Sequence, residues 1–373
     1  MNFGILRIDR PFRRLVQRLR MFTILKFGKP RLIIHYTPDV SGGAATFMFS
    51  VAKVLPEYYH LIVTNRDVAH PIAKLMAPVP HLLWVQDYIS EKNIHRYLAV
   101  KPAAIFNHLS WDLKPVDRRW LEQSSTHFSP RVISFCHTIG AVRKIPDTAS
   151  SADTTIVFSH YLEDAQLEAL LYSHPSAFPV RQMPSVFDEK ELVKTSIQGP
   201  LRRGRFVAGN ISNGAPWKHS EDFVNIMNSI ESACPNIFFR FLGAKDLVSK
   251  LKGSKTVEIL PPFSVETSDY LNSISVLIHK TEPDIVETWC RVVTEAMFAG
   301  VPVIAEKRGG IREQIIHGET GFLCETPDDF PKYARLLCLD DILYRRITSQ
   351  ARAFAITNFG LEASRKNLFG LLD

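Results

Sequence analysis

The chain has 373 residues, more than one hydrophobic core usually organises, so two domains are expected. Hydrophobic residues make up 46% and charged residues 22%, which excludes a wholly disordered or fibrous chain. The net charge is +7, but residues 1–31 alone hold nine basic residues and a single acid, Asp9. The remaining chain holds 36 basic and 37 acidic residues, and this near-neutral body argues against a nucleic-acid-binding protein.

The first predicted element is a basic amphipathic helix. Its apolar side chains recur at spacings of three and four between arginines, at Phe12, Leu15, Val16, Leu19 and Phe22. Such a helix binds in the plane of an anionic membrane, although a helix packed on the body with solvated arginines is the alternative. We assign residues 1–30 as a membrane-binding arm, with residues 1–28 meeting the lipid. Five scattered cysteines without a Cys-x-x-Cys pair fit the cytoplasm, so the cytoplasmic face of the membrane is the expected location.

Residues 31–190 repeat a pattern of short apolar run, loop and helix. The predicted strands are Leu32–Tyr36, Tyr59–Thr64, His81–Val85, Ala103–Asn107, Val132–His137 and Thr155–Ser159, and a helix is predicted at Ala44–Leu55. Alternation of this kind predicts a parallel sheet that binds ligands beyond the carboxyl ends of its strands. His137 and the turn Ser41-Gly42-Gly43 are therefore expected on one rim of a Rossmann-like domain.

A polar, basic segment at Glu189–Arg205 is predicted to link this domain to a second one, over residues 205–350. The second domain repeats the alternation, with strands at Phe206–Ala208, Ile237–Leu242, Thr256–Leu260, Val276–His279, Pro302–Ala305 and Gly321–Cys324, and helices at Glu221–Cys234 and Arg291–Ala299. Residues 351–373 are expected to form a C-terminal helix that packs back toward the N-terminal domain.

The motif richest in chemistry begins at Glu287. This residue closes a loop after a strand, and Glu295 lies two helical turns further on, so both carboxylates are expected to face one cleft. A carboxylate accepts two hydrogen bonds from a vicinal diol, as in a ribose, and charged acceptors form the stronger bonds. The backbone N–H groups at the start of the same helix, from Cys290 to Val292, form an anion site.

These segments resemble the retaining, nucleotide-sugar-dependent glycosyltransferases of family 4, which have the α/β GT-B fold of two facing Rossmann-like domains with parallel sheets. The resemblance rests on the Glu-x7-Glu pair, on the run Glu-Ala-Met-x-x-Gly-x-Pro-Val-Ile-Ala from Glu295, and on the run Gly-Gly-x-x-Glu-x-Ile-x-x-Gly-x-x-Gly from Gly309. Together these cover about forty residues, and weaker similarity extends along nearly all of the chain after Arg31.

The resemblance implies a role for each matching residue. Glu295 would hold the ribose hydroxyls, and Glu287 would hold hydroxyls of the donor sugar. Lys218 would neutralise the leaving diphosphate, and His137 would reach the donor sugar from the N-terminal domain. The sugar and the diphosphate would also contact Gly42, Gly43, Trp289, Cys290, Arg291 and Val292. No metal-binding Asp-x-Asp is present, and the family requires no metal.

Two departures from the family pattern bear on the site. Where the family has Gly-Arg, this chain has Gly209-Asn210, so the second cation for the diphosphate is unassigned and Arg205 and Arg291 are the candidates. The family's Phe-Gly after its first glutamate is Trp289-Cys290 here, which alters the backbone that approaches the sugar.

The predicted function is transfer of a sugar from a UDP- or GDP-sugar to a glycan or lipid-linked acceptor at the membrane, in polysaccharide or glycoconjugate biosynthesis. No cofactor or metal is expected, and nucleic acid is not an expected partner. One alternative is a GT-B-type nucleotide-sugar epimerase, which needs no acceptor. Another is a catalytically impaired donor-binding partner in a polysaccharide assembly complex.

Overall fold

The computed structural model describes residues 31–37, 42–64, 81–86, 102–109, 131–137, 153–160, 180–193, 199–202, 204–212, 214–215, 218–234 and 236–373. The predicted amphipathic helix of residues 1–30 lies outside these ranges. The chain divides into two compact units, the first formed by Met1–Val157, Ala165–Gln182 and Asn367–Asp373 and the second by Phe158–Asp164 and Met183–Lys366. Among the helices of the described ranges, none has the length and apolar character needed to cross a membrane.

The first unit is built on a parallel sheet whose seven described strands lie in the order β3-β2-β1-β4-β5-β6-β7. The strands are β1 (Leu32–Thr37), β2 (Tyr59–Thr64), β3 (Leu82–Gln86), β4 (Ala104–Leu109), β5 (Arg131–Cys136), β6 (Thr154–Val157) and β7 (Val180–Gln182). The six predicted strands are confirmed, and β7 is an addition. The strand order reverses between β1 and β4, where a doubly wound sheet opens a crevice at its carboxyl ends.

Helix α1 (Gly42–Val54) follows β1 and covers this sheet. It buries small and large apolar residues at spacings of three and four, so one stripe of the helix faces the strands. Ala45, Met48, Phe49 and Ala52 of this stripe form a cluster with Ile62 and Leu82. The helix begins two residues before the predicted start at Ala44, which places Gly42 and Gly43 in its first turn.

The second unit contains another parallel sheet, with described strands in the order β11-β10-β9-β12-β13-β14 and β8 antiparallel to β9. The strands are β8 (Leu201–Arg202), β9 (Arg205–Ile211), β10 (Ile237–Leu242), β11 (Val257–Leu260), β12 (Val276–His279), β13 (Val303–Glu306) and β14 (Phe322–Cys324). All six predicted strands are confirmed. Within the segment predicted as a linker, the structure shows a 3-10 turn at Glu189–Glu191 and the short strand β8.

Helix α1 belongs to the first unit, and seven further helices of the described ranges follow β9 in the chain. They are α2 (Phe223–Ala233), α3 (Thr267–Asn272), α4 (Arg291–Ala299), α5 (Ile311–Gln314), α6 (Asp329–Leu339), α7 (Asp341–Phe359) and α8 (Leu361–Leu372). Helix α4 matches its predicted bounds and ends at Gly300, whose φ of 71° gives the left-handed cap that favours glycine. The region predicted as one C-terminal helix contains two, because the chain leaves helical geometry at Gly360.

Candidate active site

The order of the second sheet reverses between β9 and β12, and the candidate site lies beyond the carboxyl ends of these strands. The two strands pair over only two positions, Val276 with Ala208 and Leu277 with Gly209. Beyond that pairing, the Asn210 side chain donates a hydrogen bond from Nδ2 to the Ile278 carbonyl oxygen at 2.8 Å. The loops that follow the two strands are therefore free to separate and to face each other across a crevice.

An ion pair joins the two loops, with Lys218 from the loop after β9 and Glu287 from the loop after β12. The ammonium Nζ and the carboxylate Oε1 form an ion pair, and the side chains are only 23% and 18% exposed. Burial opposes the charge on Glu287, but the Lys218 ammonium and its hydrogen bond outweigh this and lower the carboxyl pKa. Burial likewise opposes the charge on Lys218, yet Glu287 raises the lysine pKa overall. Both groups are therefore ionised at neutral pH.

The Glu287 loop is held by a close approach of two backbones. The Gly310 N–H donates to the Glu287 carbonyl oxygen at 2.9 Å. A Cβ at Gly310 would lie 1.9 Å from the Thr288 carbonyl oxygen, and Gly309 has a φ of 56°. Neither position accepts a side chain without moving the loop, which explains physically why two glycines stand at this point of the motif.

The start of helix α4 is held by a glutamine that no sequence pattern indicates. Gln314 accepts from the Cys290 N–H at 3.0 Å and donates from Nε2 to the Cys290 carbonyl oxygen and to Thr294 Oγ1, both at 2.8 Å. The Cys290 N–H, expected to contribute to an anion site, already has a partner in the protein. The sequence signal was weak, because a lone glutamine in a short helix has many possible roles.

Glu295 and Arg291 lie one helical turn apart on α4, with Glu295 Oε1 3.7 Å from Arg291 Nε. Burial raises the pKa of Glu295, and the nearby guanidinium only partly opposes this shift. Arg291 also donates from Nη1 to Ser185 Oγ and to the Val186 carbonyl oxygen, and its guanidinium lies 4.2 Å from the centre of the Phe187 ring. Arg291 therefore ties the segment before the 3-10 turn to α4.

The position of the family arginine is taken by Asn210, which is buried in a polar network. Asn210 Oδ1 lies 3.1 Å from Nε2 of His219, and Nδ1 of His219 lies 2.9 Å from Asp246 Oδ2. This network links β9 to the loops around it and provides no exposed cation. Arg205, the other candidate cation, is exposed at the first residue of β9, at the end of the strand opposite the crevice.

Trp289 and Cys290 are both buried. The Trp289 ring meets the Phe359 ring edge-on, with centroids 5.0 Å apart. Cys290 Sγ lies 3.5 Å from His279 Nε2, but burial raises the pKa of the thiol and lowers the pKa of His279 to about 4. A neutral thiol beside a neutral imidazole is not an activated nucleophile. The second unit thus brings together Lys218, Glu287, Trp289, Cys290, Arg291, Val292 and Glu295, whereas Gly42, Gly43 and His137 belong to the first.

Comparison with known proteins agrees with this geometry. Residues 194–354 match the family model described as glycosyl transferases group 1. HepE of Anabaena, solved in complex with UDP-glucose, superposes with a TM-score of 0.74 at 19% identity, over 91% of this chain and 99% of that chain. A trehalose synthase of Thermococcus litoralis is 22% identical over 183 residues, 45% of this chain and 44% of its own length. The N-acetyl-alpha-D-glucosaminyl L-malate synthase of Bacillus anthracis is 40% identical over 78 residues, 20% of each chain.

The two parallel sheets and the similarity to HepE show the GT-B fold. More particularly, residues 194–354 are similar to the glycosyl transferases group 1 family. The fold expected from the sequence is confirmed, and the family match supports the expected class of enzyme. The chain aligns with less than half the length of the two curated relatives described above.

Proposed function

We propose that the protein transfers a sugar from a nucleotide diphosphate donor, a UDP- or GDP-sugar, with retention of the anomeric configuration. The observation behind this proposal is the Lys218–Glu287 ion pair at the strand-order reversal of a group 1 glycosyltransferase domain. A lysine kept charged at this place neutralises the charge that builds on a leaving diphosphate, where such an enzyme gains most. The similarity to HepE, which binds UDP-glucose, supports a nucleotide-sugar donor.

The ion pair also indicates how the donor would bind. The Lys218 ammonium is paired with the Glu287 carboxylate. A diphosphate that approaches the ammonium supplies a second anion to the same cation, and an ionised Glu287 then accepts hydrogen bonds from sugar hydroxyls. Glu295 would accept from the ribose hydroxyls, for which it must be ionised, and its raised pKa makes this step depend on pH.

We further propose that the reaction uses no metal cofactor. The cations on which the proposal relies are Lys218 and the positive end of the α4 helix dipole, near Arg291 and Val292. In the described ranges, no group of three or more His, Cys, Asp or Glu side chains is placed to hold a metal ion. His137 keeps the role that the resemblance implies, contact with the donor sugar.

The acceptor we propose is a glycan or a lipid-linked sugar, in polysaccharide or glycoconjugate biosynthesis at the cytoplasmic face of a membrane. The support is the concentration of nine basic residues and a periodic apolar stripe in residues 1–31. An anionic lipid surface attracts such a segment through both charge and apolar burial.

The decisive experiment measures release of the nucleotide diphosphate. The full chain is incubated with UDP- and GDP-sugars, with and without an acceptor membrane fraction, in the presence and absence of EDTA. We expect release that depends on the acceptor, persists in EDTA and gives a product with the donor's anomeric configuration by NMR. Release of the nucleotide diphosphate that does not depend on the acceptor would indicate hydrolysis or epimerisation. Donor binding without any release would indicate a donor-binding partner in an assembly complex. Loss of turnover in EDTA would overturn the metal-independent reaction.

A further inference from the structure

Four histidines of the first unit form a continuous hydrogen-bonded row across neighbouring strands. His60 Nδ1 lies 2.9 Å from His35 Nε2, and His35 Nδ1 lies 3.0 Å from His108 Nε2. His108 Nδ1 in turn lies 3.0 Å from Nε2 of His137. At the far end, His60 Nε2 lies 3.0 Å from the Leu55 carbonyl oxygen. The row therefore connects a backbone carbonyl after α1 with the histidine at the end of β5.

The row follows from the register of the sheet. His60 pairs with Ile33 on β1, so that His35 lies two residues further toward the carboxyl end. His35 pairs with Phe106, two residues before His108, and His108 pairs with Phe135, two residues before His137. Each step crosses one strand and advances two residues, which keeps all four side chains on one face of the sheet.

The inner histidines lie in an apolar environment that keeps them neutral. Burial lowers the pKa of His35 and His108 well below the ordinary value and lowers that of His60 to about 4. The rings around them are largely aromatic: Phe106 lies edge-on to His35, Phe135 stacks on His108, and Phe47 of α1 meets both His108 and His137 edge-on. His81 is the titratable neighbour of His60, with ring centroids 5.8 Å apart.

The backbone carbonyl gives the row a direction. A carbonyl oxygen only accepts, so Nε2 of His60 donates to Leu55 and Nδ1 of the neutral ring accepts. His35 must then donate from Nε2 and accept at Nδ1, and His108 must do the same. The last bond therefore requires His137 to donate from Nε2. The opposite direction would place the lone pair of His60 Nε2 against that of the Leu55 oxygen.

We propose that His60, His35 and His108 are positioning residues that hold the proton of His137 on Nε2 and make Nδ1 its hydrogen-bond acceptor. The consequence for catalysis rests on the proposed function: a hydroxyl of the donor sugar that meets His137 donates its hydrogen bond to Nδ1. A ring partner that is fixed in this way sets both the tautomer and the orientation of a ligand-contacting histidine.

The tautomer is measured directly by long-range proton–nitrogen NMR on the full chain labelled with 15N in the histidine rings. Signals are assigned from single substitutions of each histidine. At pH 7 we expect His35, His60, His108 and His137 each to carry a proton on Nε2. A wild-type His137 with its proton on Nδ1 would overturn the proposal without the need for any variant.

Two substitutions at one position separate the hydrogen bond from the packing. His108→Leu removes the acceptor for His137, so we expect its two tautomers to become mixed. His108→Asn places an amide oxygen near the former Nδ1, so we expect the Nε2 proton to be retained. Phe135→Leu is the matched control, because it removes an aromatic contact to the same ring without removing a hydrogen bond. An unchanged His137 signal in His108→Leu would contradict the proposal. If His108→Leu does not fold, loss of the His137 Nε2 proton in His108→Asn would contradict the proposal equally.

The same variants test the consequence for catalysis. We expect His108→Leu to lower kcat on the order of 10- to 100-fold, by analogy with the loss of the hydrogen-bond partner of a metal-ligating histidine, with KM for the donor changed less than about 3-fold. His108→Asn should recover most of that loss. If the wild type shows the expected tautomers but no turnover, only the proposed function is refuted. If His108→Leu has mixed His137 tautomers but normal turnover, the positioning role is refuted.

Discussion

The Lys218–Glu287 pair predicts a destabilisation whose size depends on pH. Lys218→Met retains most of the aliphatic side chain and removes the ammonium, so the loss is chiefly that of the charge. Breaking a fully buried pair costs about 3–5 kcal/mol, because the remaining charge is left without its partner. Both side chains keep some contact with water, at 23% and 18% exposure, so we expect a loss of about 2 kcal/mol in the free energy of unfolding at pH 7.

The sign of the pH dependence follows from the carboxylate. In the wild type, the lowered pKa of Glu287 stabilises the folded state above pH 4.5, the ordinary pKa of the group. This stabilisation is lost as the pH falls through the lower pKa of the folded state. Without Lys218, burial raises the Glu287 pKa instead. The variant is therefore destabilised above pH 4.5, and this destabilisation disappears below it. The stabilisation from the raised pKa of Lys218 is fully present below pH 10.5 and is lost only above it, so it is constant between pH 4 and pH 7.5. The cost of Lys218→Met should therefore shrink between pH 7.5 and pH 4.

The assay is urea unfolding followed by circular dichroism at both pH values, for Lys218→Met, Glu287→Gln and the double variant. The double variant should cost less than the two single variants together, because neutralising Glu287 removes the stranded charge. Lys307→Met is the control, since its pair with Glu325 is 48% and 69% exposed and is expected to contribute less than about 1 kcal/mol. A cost that is equal at both pH values, or additive in the double variant, would refute the reasoning.

Three further predictions concern ligand binding, the Glu287 loop and the membrane. Glu295→Ala should weaken UDP binding at least about tenfold, measured by calorimetry, because one charged hydrogen bond is lost. Glu287→Ala should chiefly lower kcat. Wild-type kinetics in both variants would contradict the assignment of the site. Gly310→Ala should lower kcat and Tm together, because the new Cβ meets the Thr288 carbonyl oxygen; normal values of both would disprove this contact. Deleting residues 1–28 should move the protein from the membrane to the soluble fraction with unchanged donor binding, and retention at the membrane would implicate another surface.

The alternation of strands and helices was predictable because strands buried on both faces of a parallel sheet are continuous apolar runs. Such runs end at polar or turn residues, so their limits are visible along the chain. Strand β7 escaped prediction because it has three residues, Val180–Gln182, of which only one is apolar. The length of β9 was underestimated because Gly209 and Asn210 interrupt its apolar pattern, although both continue the ladder with β10.

The candidate site was less predictable because its contacts join distant parts of the chain. The Glu287 and Glu295 pair is local and follows from helix geometry, but the partner of Glu287 is Lys218, 69 residues earlier. The resemblance to a family pointed to this lysine, whereas composition and spacing did not. The histidine row could not be found at all from sequence, since it depends on the register of four strands, and two of its members differ by 73 positions.

In both units, buried polar side chains bridge the point where the strand order reverses. In the first unit, His35 of β1 meets His108 of β4, and in the second, Asn210 of β9 meets the Ile278 carbonyl oxygen of β12. Neighbouring strands begin to separate at such a point, and a satisfied polar bridge in a low-dielectric interior fixes the distance between them. The residues that follow these strands, among them Lys218, are placed by that distance.

Asn210→Leu tests this explanation, because it conserves volume and removes both hydrogen bonds of the amide. The Ile278 carbonyl oxygen and Nε2 of His219 would lose their partner, so we expect a loss of about 1–3 kcal/mol in the free energy of unfolding by urea titration. Because the crevice would also lose its fixed width, kcat should fall by more than the folded fraction does. Asn210→Asp keeps the acceptor for His219 but turns a carboxylate oxygen toward the Ile278 carbonyl oxygen, so it should lower stability as well. If Asn210→Leu unfolds like the wild type and keeps its kcat, the bridge does not position the site.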